Sequence, residues 1–164
     1  MKKILVFVLL AAILPAAAFA DFQLGGIAMY KGDPSAATGI SVSDFTFGGE
    51  ARLKIAIFQA GVSALYIPYT NYTSIGALTD VGLSLDVLFF RFGAGIGPNF
   101  VMNFGNGAPN SASIGWNLKF MGDVNLGALA LGVVGYYKFD DFNNVGSVFS
   151  KLPWLGVTLM FRLF

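Results

Sequence analysis

In a chain of 164 residues, only 12% are charged, and neither cysteine nor histidine occurs. The first absence excludes disulfides, thiolate chemistry and a lipid-modified cysteine, and the second removes the commonest general base and metal ligand. Ten basic residues against nine acidic ones give no field that would draw a nucleic acid or another strongly charged partner.

The chain opens with MKKILVFVLLAAILPAAAFA, two lysines followed by an apolar run that ends in Ala18-Phe19-Ala20. That is the pattern of a secretory leader with a small-residue cleavage site, and Pro15 argues against a retained anchor helix. Residues 1–20 are expected to be removed, leaving 21–164 as one domain that starts at Asp21. Without Lys2 and Lys3, eight basic residues face nine acidic ones.

Hydrophobic residues make up 55% of the chain, 17 of them Phe, at a mean hydropathy of +0.69. An exported soluble domain of this composition would aggregate unless something covered its apolar surface. Two charge-free stretches, 55–79 and 92–118, are long enough for transmembrane helices. They contain IPYTNYTS, GAGIGPN and NFGNGAPN, turn chemistry that a lipid-facing helix does not carry in series.

Alternation with a period of two supplies the other way to cross a bilayer. In FTFGGEARLKIAI (45–57), Glu50, Arg52 and Lys54 take every second place between apolar or glycine neighbours. DVGLSLDVLF repeats the pattern with Asp80 and Asp86, RFGAGIGPNF with Arg91, and SIGWNLKFMGDVNL with Lys119 and Asp123. The pattern predicts eight strands, near 22–31, 43–57, 60–69, 77–87, 90–102, 112–126, 129–140 and 153–163. Three connections are tight, with Ile57 facing Ala60, Val87 facing Phe90 and Leu126 facing Leu129. None of these turns has the favoured Asn-Gly chemistry. The other four connections are longer and rich in Gly, Pro, Asn and Ser. The expected fold class is all-β, a transmembrane eight-stranded antiparallel up-and-down β-barrel.

From leader to the terminal WLGVTLMFRLF, the chain resembles the small eight-stranded outer-membrane proteins of the OmpA/OmpX type, with OmpW-like barrels as second choice. The resemblance implies residence in the outer membrane after export, monomeric behaviour, lipid as the surrounding partner, and engagement of the barrel assembly machinery during biogenesis. It also implies a C-terminal assembly signal, here Phe164. The phase departs from the family pattern: Leu155, Val157, Leu159, Phe161 and Leu163 form the oily face, so either Phe164 turns out at the rim or the strand carries a bulge.

A charge held in lipid near the bilayer midplane costs about 2–4 kcal/mol, so the alternating charges are expected inside. The expected lumen network contains Glu50, Arg52, Lys54, Asp80, Asp86, Arg91, Lys119 and Asp123, with Asp140, Lys138 and Arg162 also inward. Asp86 and Arg91 lie directly across a hairpin and form the best single pair. Gly48, Gly61, Gly82, Gly93, Gly95, Gly97 and Gly115 share the inward face and are read as making room for long charged side chains. Tyr136, Leu65 and Ile67 also point inward, which leaves open a hydrophobic ligand pocket at the outer mouth. Tyr30, Tyr66, Trp116, Tyr137 and Trp154 are expected as interfacial aromatics at the loop end.

Other motifs carry little. GAGIG (93–97) lacks the third glycine and the helix of a dinucleotide fingerprint, and its GxxxG spacing needs a helix. Asn71-Tyr72-Thr73 reads as loop. Asp140-Asp141 beside Asn143-Asn144 reads as a solvated loop rather than a calcium site. Outer-membrane enzymes of the lipid-modifying kind use a His with Ser, which this chain lacks, so no catalytic, cofactor or metal site is expected. The expected role is structural or surface-interactive, with four exterior loops on a closed charged barrel. The alternative is a narrow pore or conduit for small or hydrophobic molecules.

Overall fold

A computed structural model describes residues 20–31, 41–105, 107–109, 112–149 and 152–163. The expected leader, apart from Ala20, and the expected assembly signal Phe164 lie outside the described residues. Eight strands follow one another: β1 (Ala20–Tyr30), β2 (Phe45–Ile55), β3 (Phe58–Pro68), β4 (Thr73–Val87), β5 (Phe90–Phe104), β6 (Ala112–Leu126), β7 (Leu129–Phe139) and β8 (Trp154–Arg162). Each pairs antiparallel with its neighbour in sequence, and β1 pairs with β8 to close the barrel. Closure leaves no strand edge unpaired, which suits an all-β chain with no helix long and apolar enough to cross a membrane among its described residues.

The period-two alternation explains why these segments are strands. Every second side chain turns inward, as in Thr46, Glu50, Arg52 and Lys54 on β2, and the intervening ones are exposed, as in Phe47 and Leu53. The exposed set is apolar on every strand, from Leu24 on β1 to Leu159 on β8.

Two tight turns follow the expected register, Val87 opposite Phe90 and Leu126 opposite Leu129. The first does not. Ile55, not Ile57, begins the turn and faces Phe58, so the turn pair is Ala56-Ile57. Moving the turn by two residues changes every partner by four and keeps every side chain on its expected face. The observed register sets Glu50 opposite Ser63 and Arg52 opposite Gly61. The expected one would have set the same two charges opposite Ile67 and Leu65. Room for long polar side chains selects the former. Each turn begins with a residue of positive φ: Ala56 at 55°, Leu88 at 58° and Gly127 at 75°.

Strand ends shift as well. Val42–Asp44 form a 3-10 turn capped by Ser41, whose N–H donates to Asp44 Oδ2 (2.7 Å), so β2 starts later than expected. β4 starts at Thr73 rather than 77, which shortens its connection from β3 to Tyr69–Tyr72. Pro98 stands inside β5 without an N–H to give, and the Asn117 side-chain amide donates to Thr79 O on β4 (3.0 Å). β8 runs unbroken from Tyr30 opposite Leu155 to Gln23 opposite Arg162, and Leu163 N still donates to Phe22 O (2.9 Å). The bulge considered for the last strand is therefore not found among the described residues.

Candidate functional site: the lumen and its mouth

Inward residues near the tight turns and at mid-height are charged. Eight ion pairs join ten of them into two linear chains. At mid-height the order is Asp123–Arg52–Glu50–Lys119–Asp80. Arg52 Nη1 meets Asp123 at 2.7 Å, Arg52 Nε meets Glu50 at 2.8 Å, and Lys119 bridges Glu50 and Asp80, the latter at 3.0 Å. Nearer the tight turns the order is Lys54–Asp86–Arg91–Asp21–Arg162, with Arg91 Nε on Asp86 at 2.7 Å and Arg162 on Asp21 at 2.8 Å.

The two chains complement one another. The first alternates acid and base with acids at both ends and carries one excess negative charge; the second has bases at both ends and one excess positive charge. The first is sealed, with every side chain at most 2% exposed, whereas Asp86 and Arg162 in the second are 41% and 37% exposed. Charges this deeply buried are tolerated only when paired and hydrogen-bonded. Around them Gln23 Oε1, Gln59 Oε1, Ser84 Oγ and Asp123 Oδ1 are buried without a protein partner, and ordered water is the physical means of satisfying such atoms.

The loop-side half of the lumen holds an apolar core, with Thr46, Ser74, Asn99 and Asn117 buried beside it. Ile27, Met29, Leu65, Ile67, Leu78, Met121, Val134 and Tyr136 form one buried cluster, with Tyr69 and Trp154 packed on it. Tyr136 joins the halves: its hydroxyl lies 3.0 Å from Ser63 Oγ, and Lys119 Nζ sits 5.5 Å from its ring centroid. Tyr136→Phe is expected to cost about 1–2 kcal/mol, because Ser63 then loses its buried partner. Urea unfolding of refolded protein followed by tryptophan fluorescence checks it.

Two roles stand out among the inward glycines. A methyl group on Gly61 would stand 2.6 Å from Asp80 Oδ2, and one on Gly132 would meet the Asp123 carboxylate, so these positions make room for charge. On Gly25, Gly48, Gly82 and Gly97 it would meet the backbone of the adjoining strand instead. Those glycines let the strands bend around a narrow lumen, a role the sequence reading did not assign.

All eight expected network residues, Glu50, Arg52, Lys54, Asp80, Asp86, Arg91, Lys119 and Asp123, stand in the two chains, and Asp86 pairs directly with Arg91. Asp21, an inward position of β1, is a further member that the alternation does not mark, since it stands at the expected cleavage point. Asp140 is exposed beyond the end of β7 and joins neither chain. Lys138 points to the mouth, where its Nζ stands 4.4 Å from the Trp154 ring centroid. Asp141 caps the 3-10 turn Phe142–Asn144, accepting from Asn143 N at 3.1 Å.

Of the expected interfacial aromatics, Tyr66 is exposed, Tyr30 packs edge-on to Phe45, Trp116 lies against Phe142 and Tyr137 lies between Phe120 and Phe149. Trp154 departs from the expected girdle. It shares the inward phase of Gly156, Thr158 and Met160 and covers the apolar cluster. The oily face of β8, read as Leu155 to Leu163, already implied that phase.

At the mouth, Lys31 Nζ lies 4.2 Å from the Tyr69 ring centroid and donates to Ser43 O, while Tyr69 stacks on Tyr72 at 4.4 Å. Burial lowers the Lys31 ammonium pKa, partly offset by Asp44, and burial raises that of the Tyr69 phenol, with Tyr72 adding to the rise. No protein-family model matches the chain, and no curated protein matches it.

Proposed function

We propose that this chain is an integral outer-membrane β-barrel, exported by its leader, whose plugged lumen makes it a wall that presents loops to the exterior. One observation carries the reading: polarity is inverted relative to a soluble protein, with Glu50, Arg52 and Lys119 at 1% exposure and Val81, Val133 and Val157 at 60% or more. Such a surface needs an apolar solvent, and a closed barrel is one of the two backbone arrangements that can cross lipid. The connections 31–44, 69–72, 105–111 and 140–153 share one end, and the tight turns share the other. In this reading the former face outward and carry the structural or surface-interaction role.

Conductance tests the closed lumen. Refolded protein in a planar bilayer is expected to give a flat trace, since salt bridges fill one half of the lumen and packed, largely apolar side chains the other. Discrete current steps would favour a pore. The second reading, a conduit for small apolar molecules, has the apolar loop-side half of the lumen in its favour. It requires that cluster to part, and uptake of an apolar dye into protein-bearing vesicles at a rate above that of protein-free ones would support it.

A further inference from the structure

Seven of the eight seams of the barrel run without a gap among the described residues. The β4–β5 seam does not. Its register passes from Leu78 opposite Asn99 to Val81 opposite Ile96 and skips the pairs Thr79–Pro98 and Asp80–Gly97. Pro98 has no N–H, so the ladder is one bond short there. Both carbonyls of the Thr79–Pro98 pair face the seam: Pro98 O accepts from Thr79 Oγ1 (2.8 Å), and Thr79 O accepts from Asn117 Nδ2 (3.0 Å). Opposite residues placed in this way exchange two backbone bonds in an antiparallel ladder, and the missing one is from residue 98 to Thr79 O.

Asn117 Nδ2 therefore stands in for the backbone donor that Pro98 lacks. It comes from β6, one strand further round the barrel. The residue opposite Asn117 on β5 is Gly97, where a methyl group would stand 2.2 Å from Thr79 O, so the glycine keeps the crossing open. Asn117 is fully buried and its Oδ1 has no protein partner, so the amide is held through its nitrogen alone. A side-chain bond of this kind is released by rotation about one side chain, with the strands still paired above and below it.

We propose that Asn117 is a latch on the β4–β5 seam, and that the barrel wall parts first at Thr79 and Pro98 when the latch lets go. Leu78, the next inward residue of β4 on the loop side of Asp80, belongs to the buried apolar cluster. Parting at that level opens the cluster sideways through the wall. The proposal rests on the strand ladder, not on the membrane reading.

Amide hydrogen exchange in the refolded, isotope-labelled chain in micelles tests it residue by residue. Val81 and Ile96 flank the gap, and the pair Gly122–Val133 on the continuous β6–β7 seam serves as reference. Asn117→Ala is expected to speed exchange at Val81 and Ile96 by about tenfold, as the loss of a buried hydrogen bond does, with Gly122 and Val133 unchanged. Pro98→Ala restores the backbone donor, so it is expected to slow exchange at the gap and to abolish most of the Asn117→Ala effect. Were Asn117→Ala not to fold, the slowing by Pro98→Ala alone would still support the latch. An equal rise on both seams, an undiminished Asn117→Ala effect in the Pro98→Ala background, or no slowing by Pro98→Ala overturns it.

Discussion

Replacing Arg52 by methionine is expected to destabilise the folded barrel by about 3–5 kcal/mol, the range found when one partner of a buried ion pair is removed. Arg52 stands between Glu50 and Asp123, and the side chains of all three are at most 1% exposed. Its loss leaves Glu50 with Lys119 alone. It leaves Asp123 with no cation, and Asp123 Oδ1 already lacks a protein partner. The added change Asp123→Asn removes the stranded charge and is expected to recover a large part of the loss. Arg162→Ala, at the solvent-facing end of the other chain, is expected to cost no more than about 1 kcal/mol. Urea unfolding of the four proteins in the same lipid or detergent gives the comparison. Equal losses for Arg52→Met and Arg162→Ala would mean that the mid-height chain is not sealed from water.

The second large effect comes from backbone rather than charge. Gly48→Ala is expected to cost about 1–3 kcal/mol, as overpacking does, because its methyl group would run into Ala64 O on β3. Gly49→Ala, one residue on, points outward, and the nearest atom to its methyl group would be Gly25 O at 3.7 Å. That variant is expected to stay within about 0.5 kcal/mol of the parent. The same unfolding measurement applied to both variants isolates the inward phase of β2, since the two residues share strand, type and neighbourhood. A Gly49→Ala loss as large as that of Gly48→Ala would contradict the assignment.

Phase was legible in the sequence because strand geometry ties a residue's face to its parity. Glu50, Arg52 and Lys54 needed only the period of two to be placed inside, and the same rule placed Asp80, Asp86, Lys119 and Asp123. Register was less legible. Ile57 opposite Ala60 and Ile55 opposite Phe58 give the same faces, and what separates them is whether Arg52 meets Leu65 or Gly61, a matter of side-chain volume. The membership of Asp21 was obscured by its place at the expected cleavage point, although its parity matches Gln23, Ile27 and Met29.

The division of the lumen into a charged half and an apolar half was only partly visible. Leu65, Ile67 and Tyr136 were placed inward, but they come from different strands, and their meeting with Met29 and Leu78 depends on strand stagger. That stagger follows from the closure of eight tilted strands, which no single segment encodes.

In the proposed function, lipid covers the outer face of the barrel while the inner face is sealed. The absence of native cysteine allows single-site spin labelling at Val81, Leu83, Ser84 and Leu85 on β4, in protein reconstituted into vesicles. Collision with dissolved oxygen, which concentrates in the bilayer, should be high at Val81, Leu83 and Leu85 and low at Ser84. Collision with a water-soluble nickel complex should be low at all three outward positions. High nickel accessibility at Val81 and Leu83 would place that face in water and contradict the account.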